Sequence, residues 1–320
     1  MRRWLVVASL AVLAACAPVQ PQLPERPVAA GPAVAVTAVA TPFDPSDPNR
    51  NAVGRFSYAG GLVLSSSETA RLHGLSDLDV TADGRLTAVS DEGDLFTARL
   101  RLTAQGRLAG MVEGRLSPLL DLTGRPIQDK AWGDAEGLAV LADGDRLVSF
   151  ERNHRIWLYP QDGGAPRAVH SPDVLFPDNG GMEALAPAPD IAADAYIVGG
   201  EDSGQTWTCR LSAPCVEGPK VDKPLEFGLV ALRALPGRRI AYLLRAWDPV
   251  RGSRITLTIQ GPAGEIDRLD LSSPETVDNF EGLAAVPGPK GAIRFYLLSD
   301  DNFAARQRTL LLAFDWTPAA

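Results

Sequence analysis

The chain has 320 residues, 45% of them hydrophobic and 22% charged, with a formal net charge of −8. That composition is globular and supplies apolar mass for a large core, while the acidic balance excludes a phosphate-backbone partner, because its electrostatics would oppose nucleic acid. Three cysteines and three histidines leave little material for a soft-metal centre.

In chain order the first element is a leader. Arg2 and Arg3 precede an apolar run from Trp4 to Leu13, and Leu13-Ala14-Ala15-Cys16 closes it as a lipobox. The run is too short to span a bilayer and has the layout of a secretory signal. Residues 1–15 are therefore expected to be a lipoprotein signal peptide, with Cys16 the lipidated first residue of the mature chain. Acyl chains anchor by CH₂ burial, so no transmembrane helix is required. Ala17 rather than Asp follows the cysteine, which points to the outer membrane, facing the periplasm. Residues 16–52 contain Pro18, Pro21, Pro24, Pro27, Pro32, Pro42, Pro45 and Pro48 with no strand alternation and no helical stripe, which predicts an extended tether.

Residues 53–320 read as one all-β domain. Phe56-Ser57-Tyr58 and Leu62-Val63-Leu64 are strand-like. A strand pair then recurs five times. Its copies are Ser76 to Val80 with Ser90-Asp91-Glu92, Glu136 to Val140 with Phe150-Glu151-Arg152, and Met182 to Ala186 with Gly200-Glu201-Asp202. A degenerate fourth copy, Gly228 to Leu232 with Leu244-Arg245-Ala246, precedes Phe280 to Ala284 with Ser299-Asp300-Asp301. Start-to-start spacings of about 60, 47, 47 and 51 residues, with turn signals such as Ala82-Asp83-Gly84 and Ala142-Asp143-Gly144 inside the pairs, predict a β-propeller. A β-sandwich would not require the same acid positions to recur in register. The N-terminal strands complete the last blade or contribute to a sixth, so the sequence predicts five or six blades. Between the third and fourth copies, Cys209 and Cys215 flank a short segment ending in Pro214, and an oxidising compartment makes them a hairpin-spanning disulfide pair.

In a propeller blade the innermost strand lines the channel and the next returns antiparallel beside it, so the start of one and the end of the other share a face. That geometry gathers Glu136 with Glu151, Glu183 with Glu201, Glu281 with Asp300, and Asp77 or Asp79 with Asp91 around one channel mouth. Crowded carboxylates repel unless a cation neutralises them, and hard oxygen donors suit Ca²⁺ better than Zn²⁺. Asn153, Asn179, Asn279 and Asn302 stand within a few residues of these acids as neutral oxygen donors. The alternative for any one Glu is a structural acceptor of backbone N–H groups from the next blade. Arg245 takes the acid position in the degenerate copy, where it either pairs with a neighbouring acid or, with Arg152, offers a contact for a substrate carboxylate or phosphate. His154 is a candidate general base, whereas His73 and His170 are expected at the surface. No Gly-x-Ser-x-Gly elbow or dinucleotide fingerprint occurs.

The acid-Gly-Leu strands, the Ser90-Asp91-Glu92 and Ser299-Asp300-Asp301 ends and the secretory start resemble the phytase-like propeller family, labelled "esterase-like activity of phytase", over roughly residues 57–316. The resemblance implies a cation held by Glu136, Glu183, Glu201, Glu281 and Asp300. It further implies hydrolysis of an ester, lactone or phosphoester, with Glu136, Glu183 and His154 as catalytic groups. No dense Lys/Arg cluster for a polyphosphorylated substrate is present. The alternative is a non-catalytic propeller that binds a ligand or an envelope protein. The chain is expected to be monomeric, touching the membrane through its lipid alone.

Overall fold

A computed structural model describes residues 32–319. The leader and Cys16 lie outside the described residues. Three strands come first: β1 (Thr37–Ala40), β2 (Ala52–Val53) and β3 (Phe56–Ser65). Blade 1 follows as β4 (Leu75–Val80), β5 (Arg85–Ser90), β6 (Asp94–Leu102) and β7 (Leu108–Pro118). A short helix α1 (Lys130–Gly133) leads into blade 2, made of β8 (Ala135–Val140), β9 (Arg146–Phe150), β10 (Arg155–Tyr159) and β11 (Arg167–Ala168). Blade 3 is β12 (Ala184–Pro187), β13 (Ala195–Gly199), β14 (Gln205–Arg210) and β15 (Ala213–Lys220). Blade 4 is β16 (Gly228–Leu235), β17 (Arg239–Asp248), β18 (Gly252–Gly261) and β19 (Gly264–Leu271). Blade 5 takes β20 (Asn279–Pro287), β21 (Ile293–Asp300) and β22 (Thr309–Trp316) and is completed by β3, which pairs antiparallel with β22.

The inner strands β4, β8, β12, β16 and β20 contact one another in a closed cycle, so the molecule is a five-bladed β-propeller. The sixth-blade alternative fails because β3 is spent closing blade 5, and the strand-like segment around Met111 is β7, the outer strand of blade 1. Cys209 of β14 and Cys215 of β15 are joined in a disulfide.

The expected tether is shorter than predicted. From Ala33 onward the chain is fastened to the propeller: Ala33 bridges Arg115, Val34 N donates to the Gly114 carbonyl at 2.8 Å, and β1 adds to the outer edge of β3. Phe43 is buried against Tyr58 and Phe314, with ring centroids 5.5 and 5.7 Å away, and its carbonyl accepts from Thr276 N at 2.7 Å. Prolines do not prevent this, because an edge strand can leave its outward N–H positions unpaired.

The inner strands show why Glu-Gly-Leu recurs. Pairing registers place a β-bulge at Ser76, Glu136, Val230 and Glu281, each the extra residue between two paired neighbours. A bulge re-aims one side chain without moving the rest of the strand. Two residues on, Leu78, Leu138, Leu185, Leu232 and Leu283 form a fully buried ring. Between bulge and Leu the inner strands approach closely: a Cβ on Gly137 would stand 2.5 Å from the Glu183 carbonyl oxygen, and one on Gly282 would stand 3.1 Å from the Asp77 Cα.

Asp77 occupies that same tight level in blade 1. Its carboxylate accepts from Arg233 Nη2 through both oxygens (2.8 and 2.9 Å), and from Leu78 N, Leu138 N and Leu283 N. Arg233 also donates to the carbonyls of Leu78, Leu185 and Leu232. Asp77 is therefore a fully buried clamp in the channel wall and not a mouth residue. Asp79, two residues further from the mouth along β4, lies beyond it. Burial pushes Asp77 up to about 6 against the opposing pull of Arg233, and raises Asp79 as well.

Candidate active site at the channel mouth

A residue at or near the mouth end of the second strand occupies an equivalent position in every blade. Asp91 N donates to Gly74 O, Glu151 N to Asp134 O and Glu201 N to Gly181 O, while Arg245 pairs with Gly228 and Asp300 with Asn279. These five ends and the bulge-level acids Glu136, Glu183 and Glu281 border one cavity of about 410 Å³. Together with Asp134, eight carboxylates line it against three cations, Lys130, Arg152 and Arg245. The expected convergence of acids on one face is what the structure shows.

Six of the eight acids divide into three groups by partner, the other two, Glu151 and Asp300, accepting backbone N–H groups. Arg245 Nη2 lies 3.0 Å from Glu201, and its Nη1 contacts Glu281 and Asn279 Oδ1, the latter at 2.6 Å. Burial opposes the charge on Arg245, yet Glu281, Glu183 and Glu201 hold its pKa above the ordinary value. With its fork committed to acids, Arg245 is their internal counter-ion, the first of the two roles the sequence left open for it. Lys130 bridges Asp91 (2.8 Å) and Asp134 (3.1 Å), and Arg152 pairs with Asp134 at 2.5 Å while remaining about half exposed.

Glu136 and Glu183 form the third group: among the described residues neither accepts a hydrogen bond or an ion pair. Burial, then Glu281 and Asp134, raise Glu136 well above the usual carboxylate range, and burial and Glu201 do the same to Glu183. Glu281 is pushed up to about 7 by burial despite Arg245, Asp300 to about 9 by burial and Glu281, and Asp91 to about 6 by burial. One oxygen of Asp91 is buried without a partner.

Asp134, Glu136 and Glu151 each present an oxygen within 4.8 Å of the others. Glu151 is fixed by Gly180 N at 2.6 Å and Gly181 N at 3.4 Å, and Asp134 by Lys130 and Arg152. An all-carboxylate set with one unpartnered member fits a hard divalent cation. Of the expected ligands, only Glu136 belongs to this triad. Glu201 and Glu281 are taken by Arg245, Asp300 accepts from Asn302 N at 2.7 Å, and Glu183 stands apart. Asn179 and Asn302 line the cavity, whereas Asn279 is bound to Arg245 and Glu281, and Asn153 donates to the Ala131 carbonyl.

His154 does not line the cavity. Its Nε2 lies 2.7 Å from the Pro177 carbonyl, which makes that nitrogen the donor, and its ring packs against Gly181 and Phe176. It braces the loop that holds Glu151 and is no general base for the mouth. His73 is half-buried beside Phe303 and not a surface residue, and burial lowers it to about 4; His170 is exposed as expected. Asp134 and Lys130 were missed by the sequence reading. Their i,i+4 spacing and the Asp-x-Glu that ends at Glu136 are the signals that could have found them.

The family described as "Phytase-like: Esterase-like activity of phytase" matches residues 70–303. The chain belongs to the phytase-like family. Comparison with curated proteins finds no match. Among solved structures, the phytase-like chain is similar to a putative gluconolactonase at 14% identity and TM-score 0.48, covering 81% of each chain. It is similar to regucalcin, a calcium-binding protein from Agrobacterium tumefaciens, at 15% identity and TM-score 0.45, covering 92% of each. Virginiamycin B lyase from Staphylococcus aureus matches at 10% identity and TM-score 0.43, covering 77% of this chain and 86% of that one.

Proposed function

We propose that this phytase-like propeller is a metal-dependent hydrolase of esters, lactones or phosphoesters. In this reading it is a monomer carried as a lipoprotein on Cys16 at the outer membrane, facing the periplasm, with no nucleic-acid partner. The observation that carries the reading is the pairing pattern at the mouth: Asp91, Asp134, Glu201 and Glu281 are paired with Lys130, Arg152 and Arg245, and Glu151 and Asp300 accept backbone N–H groups, whereas Glu136 and Glu183 have no partner among the described residues.

Asp134, Glu136 and Glu151 would hold the cation, with Ca²⁺ the best fit to an all-oxygen set. When bound, it supplies Lewis-acid polarisation of the scissile carbonyl or phosphoryl oxygen. Glu183, whose pKa burial and Glu201 raise well above the usual carboxylate range, would give its proton to the departing alkoxide as the bond to the acyl carbon or phosphorus breaks. The proton lost by the attacking water restores Glu183. The free donors of Arg152 orient an anionic substrate group.

Calorimetric titration of the metal-free protein with CaCl₂ and MnCl₂, beside a panel of esters, lactones and phosphoesters, tests this. Cation binding that Glu136→Gln weakens, together with turnover that Glu183→Gln removes, is expected. No binding of either ion, with activity intact in both variants, would sink the mechanism. Retention of the Cys16→Ser chain on membranes would sink the lipid anchor.

A further inference from the structure

A second cavity of about 800 Å³ opens beside the mouth, between blades 4 and 5. It shares Glu201, Arg245 and Asn302 with the acidic cavity, so the two adjoin. Its chemistry is different. Trp247 is 67% exposed in its wall, with fully exposed Leu225 and with Phe227 and Val277 alongside. Three arginines line it beside four carboxylates, of which Glu201 and Asp278 pair with lining arginines, Glu226 pairs with Arg254, and Asp202 stands at the rim. Arg245 serves Glu201 and Glu281, and Arg308 pairs with Asp278 at 3.2 Å, whereas Arg306 has no acidic partner among the described residues. Where the cavities meet, Asn302 and Phe303 both adopt positive φ (47° and 54°), a conformation that a Phe holds only when its surroundings require it.

We propose that this second cavity is the specificity subsite for the non-reacting arm of the substrate: an aromatic or apolar chain laid along Trp247 and ending in an anionic group at Arg306. The proposal rests on the hydrolase reading for the role of the mouth, but the groove binds by its own chemistry. A cavity of this size with an apolar wall and one free guanidinium suits a drug-sized amphipathic anion. The acidic mouth repels that anion, which orients the ligand with its charge away from the carboxylates.

The test is equilibrium binding of 4-phenylbutyrate, followed by calorimetry or saturation-transfer NMR, with butyrate as the arm-less control. Wild type is expected to bind 4-phenylbutyrate and to bind butyrate more weakly. Trp247→Ala should weaken 4-phenylbutyrate about tenfold, Trp247→Phe should recover most of that, and Arg306→Gln should weaken it and flatten its salt dependence. No binding by wild type, or equal binding by wild type and Trp247→Ala, overturns the proposal. Because the titration involves no turnover, failure to hydrolyse any ester refutes the hydrolase reading while the groove result stands separately.

Discussion

Asp77 and Arg233 lie 156 positions apart in the chain and form a single buried ion pair whose hydrogen bonds reach all five blades. Asp77 takes backbone donors from blades 2 and 5, and Arg233 gives to carbonyls in blades 1 and 3 as well as its own. Removing one partner of such a pair leaves an uncompensated buried charge, which costs about 3–5 kcal/mol. Arg233→Met is therefore expected to lower unfolding stability by that amount in urea titrations. A loss below about 1 kcal/mol would show that the ring does not depend on the clamp.

The acids at the mouth predict an inverted pH profile for the metal-free protein. Glu281 at about 7 and Asp300 at about 9 bind protons more tightly in the folded chain than in the unfolded one. Between roughly pH 4 and 9 the native state therefore holds more protons than the unfolded state, and stability falls as pH rises. Thermal melts in chelator at pH 5, 7 and 9 should show a decreasing midpoint. Calcium at pH 8 should recover much of the loss, with protons released on binding. A midpoint that rises over this range contradicts the crowding.

Arg245→Gln removes the counter-ion from Glu201 and Glu281. At pH 5 Glu281 is mostly protonated and loses little, whereas at pH 8 two carboxylates face each other unneutralised. The destabilisation should thus be much larger at pH 8 than at pH 5, read by denaturant midpoints at both. Equal losses would mean that Arg245 acts through packing.

Phe43→Ala probes the N-terminal strap. Truncating a fully buried Phe costs about 3–5 kcal/mol, and Phe43 is 1% exposed between Tyr58 and Phe314. The variant should melt earlier while keeping its cation affinity, since the strap lies away from the mouth. An unchanged melt would return residues 33–44 to the role of spacer.

Much of the fold was legible because blades are local. Hairpins such as β4–β5 and β8–β9 are closed by Asp-Gly turns whose glycines have positive φ (Gly84 81°, Gly144 91°), and each carries its own acids at fixed register. The convergence of Asp91, Glu151, Glu201 and Asp300 followed from that register alone. What sequence could not show depends on pairings between blades. Nothing near Arg233 marks Asp77 as its partner, and nothing near Arg245 says that two acids from other blades will occupy its fork. Glu136 and Glu281 reach the cavity from bulges, which exist only once two strands are paired. Whether His154 is a general base or a loop histidine could not be read from its proximity to Glu151 in sequence, because ring direction is decided by Gly181 and Phe176, which make it the loop histidine. The strap was misread because its strand is an edge strand of four residues with no alternation to detect.

Blade 5 borrows β3 from the start of the chain and β20 to β22 from its end. The ring is consequently a circle with one seam, and the seam is the pairing of β22 with β3. Until β22 meets β3, the carboxylates of blades 1 and 5 belong to opposite ends of an open arc. A chain cut before Thr309 would carry all eight mouth carboxylates but lack the strand that closes the propeller ring around them.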